Sequence, residues 1–203
     1  MRSLTSRKRD SVLAIFSSSL FIGIVTTTND DQFGFAGYSG RVVPPWPEAV
    51  ERVSAYLRQM GAEARIEEFA TGTPTAVDAA RAAGCKLGQI VKSLVLDCDG
   101  RWVVVLVPGD RRADLRKIAV AAGATEARIA SPAEVQRATG FAAGAVAPFP
   151  LPGIDRIFVD QGLFAHKRVW IGAGSPSHLA VLAPADLVRL SRAQPMDAVE
   201  AAT

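Results

Sequence analysis

A lysine and a serine stand in the middle of an otherwise apolar run, IVKSLVL at residues 90–96. A charged amine in a buried strand is costly unless something compensates it. Lys92 has two readings. Its side chain snorkels from a sheet edge or meets a carboxylate, or it is held beside an open pocket, where it binds a phosphate or carbonyl oxygen or has its pKa lowered. Ser93 next to it has no histidine or acid at triad spacing to activate it. A second stretch, GFAAGAVAPF at 140–149, places Gly140 and Gly144 where the backbone can approach a ligand closely, with Phe141, Ala145 and Val146 between them and Pro148 stiffening the exit. It is either a plain connector or a rim whose N–H groups meet a substrate carbonyl. A third, GAGSPSH at 172–178, puts Gly174, Ser175 and Pro176 in a loop ahead of His178. A lone histidine is usually structural, and Asp160, closing RIFVD, either orients a neighbour or caps a strand. GxSxG, Walker, HExxH and dinucleotide-fingerprint patterns are all missing from the sequence.

These residues depend on elements that the periodicity supplies. Trp46, Val50, Val53, Leu57 and Met60 recur in steps of three and four, one helical stripe ended by Gly61. ARIEEF is a short strand candidate. Thr75 and Asp78 make a capping box before an alanine-rich helix closed by Gly84. Two β-rich runs flank Asp99-Gly100, a dipeptide suited to a type I′ hairpin turn, so Lys92 sits on the first strand of a hairpin. Asp110 is the expected N-cap of the next helix, DRRADLRKIAVAAG, whose Arg111, Arg112, Arg116 and Lys117 form a basic group or simply a solvated face. EARIA is another strand, and Ser131 and Glu134 form a second capping box with Pro132 in the first turn. Three further β-like runs and a final helix, APADLVRLSRA, follow. Helices and hairpins mix without strict βαβ alternation, which argues an α+β fold with a mixed sheet.

The chain has 203 residues, 49% hydrophobic and 21% charged, with a formal net charge of +3. That is enough for one core of roughly 150 residues and permits, without demanding, a polyanionic partner. Cys85 and Cys98 make no disulfide framework and read as two reduced thiols. Two histidines are too few for most metal sites, so no metal and no cofactor are expected. Residues 1–43 are a separate extension. The basic MRSLTSRKRD followed by the apolar SVLAIFSSSLFIGIV outlines a secretory signal, too short and serine-rich for a membrane span, and the polar stretch after it reads as a poorly ordered linker. Either this is an export signal, or the start is assigned too far upstream and the protein begins near Val42 or Val43. The second is preferred. The folded domain is expected over 44–203.

Taken in order, CKLGQIVKSLVL, VVVLVPGDRRADLRKI, SPAEVQRATGFAAGAVAPF, IFVDQGLF and VWIGAGSPSHLAVLAPADLVRL resemble the YbaK/prolyl-tRNA synthetase-associated domain family. The resemblance runs from about Pro45 to about Val199. It implies a single α+β domain whose twisted mixed sheet curls into a partial barrel ringed by helices. It also implies a cytoplasmic trans-editing hydrolase that deacylates mischarged aminoacyl-tRNA, typically tRNA(Pro) carrying a small non-cognate amino acid. The family's lysine corresponds to Lys92 and its glycine loop to Gly144, though the usual Gly-Gly-Val-Pro-Pro here reads Gly144-Ala145-Val146-Ala147-Pro148. Its Gly-x-Pro loop corresponds to Gly174-Ser175-Pro176, with His178 after it. The catalytic set implied is Lys92, Gly144 and Ser93. The substrate-binding set expected is Gly140, Phe141, Ala145, Val146, Pro148, Asp160, Gly174, Ser175, Pro176 and His178. Relatives use substrate assistance in place of a protein base. The implied partners are the acceptor end of aminoacyl-tRNA and possibly prolyl-tRNA synthetase, with no membrane, for a monomer or weak dimer. The competing expectation is a non-catalytic tRNA-binding module of the same fold.

Overall fold

The computed structural model describes residues 15–18, 21–24, 46–70 and 72–201. The chain divides into two compact units, Met1–Val43 and Pro44–Thr203. In the first, β1 (Ile15–Ser18) pairs antiparallel with β2 (Phe21–Ile24), inside the apolar run of the signal outline. The linker reading of the polar stretch after that run lies outside the described residues. Among the described residues no helix is long and apolar enough to cross a membrane.

The second unit is built around the hairpin that Asp99-Gly100 dictates. β4 (Val91–Cys98) and β5 (Arg101–Pro108) pair antiparallel in unbroken register, Lys92 opposite Val107. Asp99 and Gly100 take φ of 52° and 83°, the two positive values a type I′ turn needs. This hairpin is the centre of a five-stranded sheet. On one side it carries β6 (Arg128–Ile129). On the other lie β7 (Arg156–Asp160), parallel to β5, and then β10 (Gln194–Met196), parallel to β7. A second sheet runs β3 (Arg65–Glu68), β9 (His178–Leu182), β8 (Val169–Gly172), all antiparallel. A parallel bridge from Ile90 to Trp170 joins the two sheets. The fold is therefore the expected α+β domain, with the sheet split in two at this seam and not closed into a barrel.

Period-two alternation sends the two faces of β4 and β5 into different cores. Val91, Val95, Val104 and Leu106 pack with Val169, Ile171 and Leu182 of the second sheet, and with Val53 and Leu57 of α1 (Glu48–Gln59) and Leu187 and Leu190 of α5 (Pro184–Ser191). Leu96, Cys98, Val103, Val105 and Val107 face Ile118 and Ala122 of α3 (Leu115–Ala122). Each such side chain, fully covered, contributes about 1.5–3 kcal/mol. Both cysteines are free thiols, Cys98 buried. α2 (Ala76–Ala82) and α4 (Pro132–Thr139) start at Thr75 and Ser131, each of which accepts the expected backbone N–H.

Two elements depart from the sequence expectation. The N-cap of α3 is Asp114, not Asp110: its carboxylate accepts from the N–H groups of Arg116 and Lys117. Residues 110–114 instead form a loop tied to the C-terminal segment, with Asp114 N–H on Ala198 O and Ala113 bridged to Val199. Arg111 and Arg112 thus precede the helix. Asp114→Ala is expected to cost about 1 kcal/mol, lowering the melting midpoint by roughly 2–4 °C, and Asp110→Ala removes no cap; circular dichroism melts of both variants check it. β10 has no sequence signal, because three residues carry no periodicity and Pro195 argues against a strand. The proline is tolerated because β10 is an edge.

Candidate functional site

Lys92 is half-buried on β4, on the face it shares with Leu94 and Leu96. Its Nζ donates to the backbone carbonyl of Arg111 in the loop ahead of α3. Burial, the largest influence, pushes the amine below the ordinary lysine value; Asp110 opposes that and Arg112 adds to it. Among the described residues this carbonyl is the amine's one hydrogen-bond partner, and it holds the amine toward the α3 side of β4, where Lys92 also lines a hollow with Arg112 and Asp114.

Lys92 lines a cleft of about 220 Å3. One wall is β4 itself, from Ile90 to Leu94. The second is Gly144 and Val146 of the irregular segment after α4. The third is the start of α2, Thr73 to Ala79, with Gly172 and Leu179 closing the floor. The second wall is shaped by glycine. Gly144 takes φ of 85° with nothing near the position a Cβ would occupy, so its role is conformational. Gly172 is different: an added Cβ would lie 3.1 Å from Val146 O and 3.2 Å from Ala145 C, so β8 runs directly beneath the turn. The Ala145 N–H is committed to Ala142 O, while among the described residues the N–H groups of Gly144 and Val146 meet no backbone carbonyl. They are the donors this wall has to offer.

Two of the three hydroxyls at the cleft are occupied. Thr73 Oγ1 donates to Pro176 O at 2.9 Å, and Thr75 Oγ1 to Asp78 Oδ2 at 2.6 Å. Ser93 Oγ is covered and has no hydrogen-bond partner, so no base activates it. Among the described residues no histidine or carboxylate lines the cleft. Among the described residues no cluster of three or more His, Cys, Asp or Glu could hold a metal.

The structure thus brings Lys92, Ser93, Gly144 and Val146 together. Ala145 lies buried behind them. The remaining candidates sit elsewhere. Gly174 donates its N–H to Ala145 O and packs against Ala49. Ser175 and His178 bond each other, Oγ to Nδ1 at 2.6 Å, with the ring buried edge-on to Trp46 and its Nε2 unpartnered. Pro176 supports the cleft indirectly, accepting from both N–H and Oγ1 of Thr73. Phe141 is a core residue under Arg52, Gly140 closes α4, and Pro148 lines a different hollow. Asp160 is buried and accepts from Gly162 and Ala198 N–H groups, tying down the segment after β10. Sequence reasoning missed the Thr73–Ala79 wall. Its capping box was legible, but nothing local says that the start of α2 faces β4.

The chain matches the family described as the aminoacyl-tRNA editing domain over residues 70–190. It is 34% identical over 148 residues to the multifunctional Ser/Thr-tRNA deacylase ProXp-y of Escherichia coli (strain K12), covering 70% of this chain and 87% of that protein. It is 30% identical over 145 residues to a proline--tRNA ligase of Nitratidesulfovibrio vulgaris (strain DP4), a match spanning 66% of this chain but 25% of the ligase. A crystal structure described as a candidate trans-editing enzyme for prolyl tRNA synthetase superposes with a TM-score of 0.72 at 34% identity, covering 77% of this chain and all of that one.

Proposed function

The chain belongs to the aminoacyl-tRNA editing domain family, and from that premise we propose that it is a cytoplasmic trans-editing deacylase acting on tRNA, tRNA(Pro) foremost, mischarged with a small amino acid. The observation that carries this reading is the small cleft lined both by half-buried Lys92 and by a glycine turn whose Gly144 and Val146 N–H groups meet no backbone carbonyl among the described residues. Water attacks the ester carbonyl carbon, a tetrahedral oxyanion forms, the bond to the ribose oxygen breaks, and that oxygen leaves with a proton. Lys92 and the N–H groups of Gly144 and Val146 surround the developing negative charge. One such donor is worth about 3–4 kcal/mol.

The cleft supplies no side chain suited to be a general base, so proton removal from the attacking water falls to the substrate. The neighbouring ribose hydroxyl of the terminal nucleotide is in place for it. Size explains why such a site exists. A synthetase pocket discriminates against a missing methylene by only about 1–3 kcal/mol. A second, smaller site removes what slips through. Docking on prolyl-tRNA synthetase, suggested by the likeness to part of a proline--tRNA ligase, would deliver the substrate before release.

The test is a panel of tRNA(Pro) charged with alanine, cysteine, serine, threonine or proline. Purified protein is expected to release at least one of the small amino acids about a hundredfold faster than spontaneous hydrolysis, and to spare prolyl-tRNA. Release of none, with salt-dependent tRNA binding intact, makes the protein a non-catalytic binding module instead.

A further inference from the structure

A second hollow, of about 610 Å3, has no part in the chemistry above. Its floor includes Tyr56 and Phe149, stacked at 5.4 Å between ring centroids. Its rim carries three arginines, Arg52, Arg156 and Arg192, against one acid, Asp155. That acid is already shared: its Oδ2 lies 3.6 Å from Arg101 and 4.0 Å from Arg156. Arg52 is exposed and lies 4.4 Å above the Phe141 ring, so its guanidinium is held in place without being neutralised.

Arg192 is the telling residue. It closes α5 with φ of 55° and ψ of 31°, the left-handed conformation that normally selects glycine. An ordinary side chain there strains the backbone, and strain of this kind concentrates at functional positions. The side chain is exposed and makes no ion pair among the described residues. Fold stability therefore gives no reason for an arginine at this position. By comparison, the hollow on the α3 side of β4 has Lys92, Arg112 and Arg116 against two acids, Asp114 and Glu200, which leaves it a smaller excess of positive charge than three arginines against one acid.

The hollow is also adjacent to the cleft. Val146 lines the cleft and Pro148 lines the hollow. Two residues span at most about 7 Å, so one short stretch of chain borders both sites. We propose that this arginine-rimmed hollow is the docking groove for the phosphodiester backbone of the tRNA acceptor arm, with Arg52, Arg156 and Arg192 meeting successive phosphates. The proposal rests on the editing reading for its choice of polyanion, and its test separates the two.

Binding of uncharged tRNA(Pro) is measured across a salt series for the wild type, Arg192→Gly and the double variant Arg156→Glu/Arg192→Glu. Each arginine removed is expected to flatten the slope of log K against log salt by about 0.7–0.9, and the double variant to bind about tenfold more weakly or worse. Arg192→Gly relieves the strained backbone, so it melts above the wild type while binding tRNA several-fold more weakly. A purely structural Arg192 predicts no loss of binding in that variant. In deacylation, KM for full-length tRNA rises with kcat unchanged, and turnover of an aminoacylated CCA trinucleotide matches the wild type. Unchanged binding and slope in Arg192→Gly, or equal losses on tRNA and trinucleotide, overturn the groove. Wild-type protein that binds tRNA with these arginine dependences yet releases no amino acid keeps the groove and overturns the editing reading.

Discussion

Lys92→Ala is expected to lower kcat/KM on mischarged tRNA by about 10²–10³-fold, while the protein melts within about 2 °C of the wild type or above it at pH 7. The two halves have one cause. The amine is half-buried, and burial dominates the lowering of its pKa. Keeping it charged in that site therefore costs stability, which an apolar residue does not. The sign follows from proton linkage. Below the lowered native pKa both native and unfolded chains hold the proton, and the penalty is felt in full. Between that pKa and the ordinary lysine value the unfolded chain holds more protons, so stability rises with pH in that window. Lys92→Met removes the charge and retains most of the volume, and its advantage over the wild type shrinks across the same window. Activity moves the opposite way. Deacylation falls on the alkaline side at lower pH than an ordinary lysine would give, because the charged form does the work. Single-turnover rates against pH, beside melting curves of the three proteins, measure both effects. Near-normal turnover in Lys92→Ala would reject the role assigned to Lys92.

What the sequence made legible was local. The Asp99-Gly100 turn fixed the β4–β5 register, and with it the face that Lys92 occupies, because a one-residue slip would have sent the amine into the main core. The two cap signals located the starts of α2 and α4 to the residue, although only Ser131 and Glu134 close a reciprocal box, Thr75 accepting from Asp78 N–H without the return bond. Gly144 stood out because an isolated glycine in an irregular run signals a backbone conformation, and its φ of 85° is one. Beyond that reach the signals failed for a physical reason. Asp110 and Asp114 are equivalent in propensity, and the choice between them was made by Ala198 and Val199 near the chain end. The α2 wall of the cleft exists because Thr73 is pinned to Pro176. His178 looked like a site residue from its place in the GxP loop, but the fold turns its ring inward against Trp46. Arg192 carried no signal at all, since an arginine after a helix is an ordinary residue until its φ is known.

Gly174→Ala is expected to be the most destabilising single methyl added to either glycine loop, at about 2–5 kcal/mol, and to lower the melting midpoint by roughly 5–15 °C. Two penalties add. At φ of 99° a side chain is strained whatever the space around it, which costs about 1–2 kcal/mol. The new Cβ would also sit 2.7 Å from Ala49 O, 2.8 Å from Ala49 C and 3.0 Å from Val50 N. Those are backbone atoms in the first turn of α1, unable to swing aside as a side chain would, and overpacking of this sort costs about 1–3 kcal/mol more. Gly144→Ala is the internal control: its φ is positive but nothing lies within 4 Å of the added carbon, so only the first penalty applies. The two variants should also differ in what they do to the reaction. Gly144→Ala distorts the turn that offers N–H groups to the oxyanion and lowers kcat in a protein that remains folded. Gly174→Ala acts through the fold, because its N–H anchors Ala145 O and its loop holds Thr73 through Pro176. Its activity loss should therefore grow with temperature and recover in part on cooling, as the folded fraction does. Urea melts, with kcat measured at 10 °C and 37 °C, separate these behaviours. A Gly174→Ala protein as stable as Gly144→Ala would mean that α1 does not sit on this loop as described.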